Sequence, residues 1–179
     1  MKIIKVVMLC LVLFAVSFRC KAKVNEYKFF ETYCQYASAV FVLCSGAVGI
    51  ESKHAFADRA INMAMTTLVS TAVVYPLKWT VKESRPDGSA YNSFPSGHTA
   101  ATFAGAELIR MEYGWGWGAL FYANAIMVGT MRVVHHRHWW WDVATGAAIG
   151  MGSAHLGRIA TDRINLLITP SSFSLTYNF

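Results

Sequence analysis

Five long apolar stretches constrain this chain more than any other feature, at residues 36–50, 60–77, 99–109, 114–131 and 143–157. Each is rich in Ala, Gly, Ser, Thr and Met, and none shows the strict alternation of a half-buried strand, so each predicts a helix. Residues 60–77 and 114–131 are 18-residue runs without a charge, the length at which an apolar helix can cross lipid. The small side chains suit close helix packing within a bilayer. The fold class expected is therefore all-α, a membrane-embedded helical bundle of five or six helices.

Aromatic placement points the same way. Tyr113, Trp115 and Trp117 open one apolar stretch and Trp139, Trp140 and Trp141 open the next. As helix, the intervening residues 118–134 span roughly 25 Å, close to the separation of two interfacial belts. Hydrophobic residues make up 55% of the chain and charged ones 15%, well under the usual quarter, and 179 residues suffice for one domain.

Residues 1–22 read as a targeting segment: Lys2 and Lys5, an apolar run over 6–18, then Cys20-Lys21-Ala22. That pattern fits a cleaved signal peptide or a retained membrane anchor, leaving 23–179 as a single domain. The net charge of +6 falls to +2 once Lys2, Lys5, Arg19 and Lys21 are set aside. No basic stripe tracks a nucleic-acid backbone, so nucleic acid is not an expected partner. Cys34 and Cys44 stand ten residues apart in one helical stretch, roughly 15 Å along its axis and beyond bridging distance.

Three short motifs carry the chemistry: Lys78-x6-Arg85-Pro86, Pro95-Ser96-Gly97-His98 and Arg132-x5-His138-x3-Asp142. Taken singly each has a plain structural reading, since basic residues flank and snorkel from spanning helices and His-x3-Asp is a common helix-surface contact. Together they supply three fixed cations, a helix start and two histidines. Lys78 and Arg85 share a face if their helix continues two turns, and Pro86 ends it. Ser96 is the expected cap of a new helix, whose first amides, at Gly97 and His98, favour an anion. Asp142 can fix the tautomer of His138 and leave its other nitrogen free to attack. Arg132 offers the planar fork that suits phosphate oxygens. The alternative is a metal site drawn from His98, His135, His138 and Asp142. Three neighbouring cations oppose it, so no metal and no cofactor are expected.

In this order the motifs resemble the signature of the type-2 phosphatidic acid phosphatase superfamily, which embraces lipid phosphatases, bacterial acid phosphatases and vanadium haloperoxidases. The resemblance spans residues 78–142. It implies a metal-independent phosphatase on a helical bundle, with His138 as a nucleophile forming a phosphohistidine and Asp142 orienting it. It further implies that His98 protonates the leaving oxygen, while Lys78, Arg85, Ser96, Gly97 and Arg132 hold the phosphoryl oxygens. Two departures stand out. Met131 replaces the serine usual before the third motif's arginine, removing a hydroxyl contact of about 1 kcal/mol. Only residues 87–94 separate the first two motifs, leaving little room for a substrate cap.

Passing the helices alternately through a bilayer brings all three motifs to one face, outside if the basic leader lies inside. The expected function is hydrolysis of a lipid phosphate or diphosphate at the extracytoplasmic face of a bacterial envelope membrane. Undecaprenyl diphosphate, phosphatidic acid, phosphatidylglycerol phosphate and lipid A phosphates are candidate substrates. The alternatives are a soluble periplasmic acid phosphatase, a vanadate-binding haloperoxidase and an inactive lipid-binding relic. The oligomeric state carries no sequence signal. The tail 173–179 alternates apolar and polar residues and is expected to fold against the bundle.

Overall fold

The computed structural model describes residues 26–169 and 172–177; the leader 1–22 and the last two residues of the tail lie outside the described residues. Five α-helices follow in order: α1 Glu26–Cys44, α2 Phe56–Val81, α3 Gly97–Tyr113, α4 Trp115–Val134 and α5 Trp140–Asp162. Each apolar stretch is carried by one of them, which makes the fold an all-helical bundle as expected. The first stretch is displaced. α1 begins ten residues earlier than expected, at Glu26, and stops at Cys44, where a 3-10 turn over Ser45–Val48 takes over. Gly49 closes that turn with φ of 71°, a left-handed conformation that glycine adopts without steric cost.

α3 is the centre of the bundle and packs against all four other helices. Its buried face is built from small residues, Ala100, Ala104, Gly105 and Ala106, with Leu108 and Ile109 further along. Closest approach is to α5, at Gly146 and Gly150. A Cβ at Gly150 would lie 2.2 Å from Ala100 O and 2.9 Å from Ala104 N, and one at Gly146 would lie 2.5 Å from Ser96 O. Only glycine lets these two backbones meet, and their N-terminal ends carry the second and third motifs.

The end of the bundle away from those motifs is tied by buried polar groups. Arg59 Nη1 donates to Val42 O at 2.9 Å, Ser45 Oγ at 2.8 Å and Tyr113 OH at 2.6 Å. Glu107 accepts from Arg110, from the Tyr122 hydroxyl and from His155 Nε2. Buried charges of this kind persist only when paired. Beside them Phe41, Tyr113, Trp117 and Phe121 form an aromatic cluster with centroids 5.0–5.2 Å from Phe41.

Among the described residues α2 is the one helix long and apolar enough to cross a membrane; α4, with its Gly, Asn, Tyr and Trp, falls short of that mark. Large apolar side chains nonetheless face outward on four helices: Val40 of α1, Leu68 of α2, Ile126 of α4, and Leu156 and Ile159 of α5. Trp79 and Trp140 are exposed near one end of the bundle and Trp115 near the other.

The tail differs from expectation. Ser172–Tyr177 (β2) pairs antiparallel with Ile164–Thr169 (β1), in the register Ile164↔Tyr177 to Thr169↔Ser172. It pairs with the residues that follow α5 and so forms a hairpin appended to the bundle. β1 pairs one edge of β2, whose backbone groups a lone strand would have left open there.

Candidate active site

Lys78 sits in the last turn of α2. The helix stops at Val81 and Lys82 takes φ of 47°, so Lys78 and Arg85 do not share a helical face as the spacing had suggested. A loop returns Arg85 instead. Within it Arg85 N donates to Ala90 O, Gly88 N to Arg85 O, and Ser93 N to Glu83 O. Asn92 is its hub: its carbonyl accepts from Lys78 Nζ at 2.8 Å, and its side-chain Oδ1 accepts from Arg85 Nε at 3.0 Å. Both cations are thereby aimed before any ligand arrives.

The loop is pinned to the third motif. Asp87 N donates to His136 O, and Arg137 Nη1 reaches Asp87 Oδ2 at 2.8 Å. Hydrogen bonds from Ser89, assisted by Arg137, hold the Asp87 carboxyl well below the usual carboxylate range. Burial, with Arg137 and Arg132 nearby, pulls the proton affinity of Arg85 down, and Asp87 opposes them.

Ser96 caps α3 as expected. Its Oγ accepts from Thr99 N at 3.5 Å and pairs with Thr99 Oγ1 at 2.9 Å. Its own amide donates to Asp142 O at 3.0 Å, so one backbone bond joins the second motif to the third. The Ser96 side chain is fully buried and stands behind the cavity wall, whereas Gly97 and His98 line it. A Cβ on Gly97 would lie 4.0 Å from Lys78 Cε, which shows how closely the first two motifs meet.

Arg132 is in the last turn of α4 and His138 in the turn before α5. The amides of Arg137 and His138 both donate to Arg132 O, at 3.0 and 3.1 Å, folding the turn back over the arginine. His138 is 2% exposed. Its Nδ1 lies 3.5 Å from Asp142 Oδ2, longer than a good hydrogen bond, and has no hydrogen-bond partner among the described residues. Burial, then Arg132, Lys78 and Arg85, push His138 down to about 3, with the Ser93 carbonyl pulling the other way. The imidazole is therefore neutral above acid pH. A neutral, buried imidazole surrounded by cations suits a nucleophile toward an anionic centre.

Asp142 is fully buried. Oδ2 accepts from Ser93 Oγ at 2.5 Å and from Trp139 N at 2.9 Å. Oδ1 is buried with no hydrogen-bond partner among the described residues. Trp139 and Trp141 stack with centroids 5.1 Å apart, and their indoles bond into the loop, at Ser84 O and Glu83 Oε1.

One cavity of about 590 Å³ takes in Lys78, Arg85, Gly97, His98, Arg132 and His138. Sequence reasoning named all six. It missed Asn92, Ser93 and Glu83, loop residues outside the motifs whose side chains and carbonyls hold Arg85, Asp142 and Trp141. The cavity continues past His98 as a groove between α1, α2 and α3, reaching Met63, Val42 and Leu108. From Lys78 to Met63 that is roughly 22 Å along α2.

Comparison with known proteins agrees with this geometry. The sequence profile of the PAP2 superfamily matches residues 59–165. A lipid A 1-phosphatase of Porphyromonas gingivalis is 42% identical over 103 residues, covering 55% of this chain and 23% of its own length. A lipid A 4'-phosphatase of Helicobacter pylori is 31% identical over 106 residues, covering 53% of this chain and 54% of its own. This chain thus spans about a quarter of the first relative and about half of the second. The crystal structure of LpxE from Aquifex aeolicus superposes with a TM-score of 0.56 at 22% identity, over 82% of this chain and 93% of that one; it has the same fold.

Proposed function

This chain belongs to the PAP2 superfamily, and from that membership we propose that it is a phosphatase of lipid phosphates or diphosphates working through a phosphohistidine. The observation that carries this reading is the convergence of Lys78, Arg85 and Arg132 with His98 and His138 on one cavity. Phosphoryl transfer asks the protein mainly for positioning and for neutralised charge on the equatorial oxygens, and those five side chains supply both.

In this mechanism Asp142 holds Nδ1 of His138, leaving Nε2 to attack phosphorus. The P–N bond forms as the P–O bond to the lipid breaks, and His98 gives its proton to the departing oxygen. Water then attacks the phosphohistidine, His98 takes its proton, and the P–N bond breaks to release inorganic phosphate. Gly97 and the amides at the start of α3 add donors to the phosphoryl oxygens. Ser96 serves this shell through its backbone and its cap. No step calls for a metal.

The groove beneath the cations supports a lipid over a soluble ester. Its lining sets Ala39, Val42, Met63 and Leu108 among hydroxyls such as Thr67 and Ser70, and it joins the phosphate cavity without a break. An acyl chain lying in it keeps its phosphate at the cations. Outward-facing Trp140 and Trp79 would set this end at headgroup depth, on the extracytoplasmic side of a bacterial membrane. The names of the two relatives favour lipid A phosphates among the candidates, with the other lipid phosphates as comparison substrates.

The test is phosphate release by the detergent-purified protein from lipid A 1-phosphate, lipid A 4'-phosphate, undecaprenyl diphosphate, phosphatidic acid and phosphatidylglycerol phosphate. Turnover of at least one, abolished in a folded His138→Ala variant, is the expected result. Equal turnover by that variant would remove His138 from the mechanism.

A further inference from the structure

Hydroxyls inside these helices mostly close on the carbonyl one turn back. Thr67 donates to Met63 O, Thr130 to Ile126 O, Ser153 to Ile149 O and Thr161 to Gly157 O. Two serines depart from this habit. Ser38 of α1 and Ser70 of α2 are only 6% and 9% exposed, and among the described residues neither hydroxyl has a hydrogen-bond partner. Both line the groove that runs down from the phosphate cavity. A buried hydroxyl left unpaired is costly, so this part of the groove favours an occupant that can hydrogen-bond.

The two serines reach a similar depth from separate helices. Ser70 stands eight residues before Lys78 on α2, roughly 12 Å along the helix. Ser38 is seated on α3 at Gly105, where no Cβ could be added without striking its Oγ. Gly105 is seven residues past His98, roughly 10 Å along α3. Around them Val74, Ala101 and Leu108 present hydrocarbon. Polar groups in such surroundings discriminate, because an occupant lacking a partner for them leaves them unpaired.

Given the lipid-phosphatase reading, on which this rests, we propose that Ser38 and Ser70 are specificity-determining residues that bind a hydroxyl on the fatty chain of the substrate. The class selected is lipid phosphates with hydroxylated chains. A hydroxyl on the third carbon of a chain attached beside the phosphate stands eight bonds from phosphorus, roughly 10 Å when extended. With the phosphoryl group at the cations, that is the depth of the serines. The reach is the same for a chain amide-linked to an amino sugar phosphate and for one ester-linked to glycerol phosphate. A serine hydroxyl both donates and accepts, so one serine donates to the chain's oxygen while the other accepts its proton. Polyprenyl diphosphates and plain acyl lipids carry only hydrocarbon at that depth.

Two matched pairs of lipids provide the test: N-acylglucosamine 1-phosphate and phosphatidic acid, each with 3-hydroxyacyl chains and with unsubstituted chains of equal length. Phosphate release is measured in detergent for the full chain, for Ser38→Ala, for Ser70→Ala and for the double variant. In at least one pair the parent should favour the hydroxylated member about tenfold in kcat/KM, with the difference in KM; the pair that shows it identifies the headgroup. Each single variant should lose part of that preference and the double variant all of it, while unsubstituted lipids are handled as by the parent. Thr130→Ala, whose hydroxyl back-bonds to Ile126 O on another helix, should keep the preference whole. Equal kcat/KM within both pairs for the parent overturns the proposal. So does a preference that survives in the double variant, or a loss shared equally by both members of a pair, as a merely structural role would give. A second arm needs no turnover. In folded His138→Ala the hydroxylated lipid should raise the melting temperature at about tenfold lower concentration than its partner, and the gap should close once both serines are alanine. If the parent hydrolyses none of the four lipids, the proposed function fails, while the melting arm still decides whether the serines read the chain.

Discussion

Replacing Gly150 by alanine adds one methyl group roughly 12 Å along α5 from Asp142, far from any group that would touch a phosphate. The added Cβ would sit 2.2 Å from Ala100 O, 2.9 Å from Ala104 N and 3.0 Å from Ala100 C. All three are backbone atoms of α3, so no side chain can swing aside. Restoring ordinary contact requires the two helices to part by about 1 Å, a strain of about 1–3 kcal/mol for an overpacked interior. The same displacement reaches the site, because α3 carries Gly97 and His98 while α5 begins just after His138 and carries Asp142. A 1 Å error in placing reacting groups can cost about a hundredfold in rate. Gly152, two residues on, is the control, since a Cβ there meets nothing within 4 Å; alanine at that point should be neutral or slightly stabilising. The assay pairs thermal unfolding in detergent with kcat on a lipid phosphate. Gly150→Ala should melt lower and lose most of its activity, while Gly152→Ala should match the parent. If Gly150→Ala matches the parent in both, the α3–α5 contact does not set the geometry of the site.

Three further outcomes follow from the same structure. Ser93→Ala removes the hydroxyl donor to Asp142 Oδ2 and should cost about 1.5–3 kcal/mol, with kcat falling by tenfold or more; Ser153→Ala, whose hydroxyl only back-bonds to Ile149 O, should change little. His138 is held down to about 3 in the folded chain, below its ordinary 6.5. Between these values the unfolded chain takes up a proton that the folded chain refuses. Its effect on stability is therefore absent above pH 6.5 and grows as pH falls toward 3, to about 5 kcal/mol at most. A folded His138→Asn variant should show a shallower acid limb in its unfolding midpoint, and an unchanged limb would refute the assignment. Chelators should leave phosphatase activity untouched; loss of activity on chelation, restored by a divalent cation, would reverse the choice between cation cluster and metal.

The helices were legible because long, uncharged runs of small and apolar residues have few other ways to satisfy their backbones. Three motifs in fixed order were likewise enough to nominate Lys78, Arg85, His98, Arg132 and His138 before their meeting was visible. What the pattern concealed was how they meet. Periodicity put Lys78 and Arg85 on one helical face, but α2 ends at Val81 and the arginine comes back on a loop organised by Asn92. Asn92 and Ser93 act through both carbonyl and side chain, but they lie in a short polar loop outside the three motifs, where such residues are ordinary. At the other end of the chain, the alternation over 173–179 pointed to a tail against the bundle, whereas Ser172–Tyr177 pairs with Ile164–Thr169.

Lys78 and Arg85 are pointed by Asn92 toward a space they share with Arg132, and among the described residues no acidic side chain lines that space to balance them. Such a receptacle does not distinguish between the phosphoryl group of an incoming lipid and the free inorganic phosphate left after turnover. The anchoring that prepares the first step therefore also slows the last, and departure of the small anion becomes the natural bottleneck of the cycle. Added inorganic phosphate should then act as a competitive inhibitor and, in the same concentration range, as a thermal stabiliser of the folded chain.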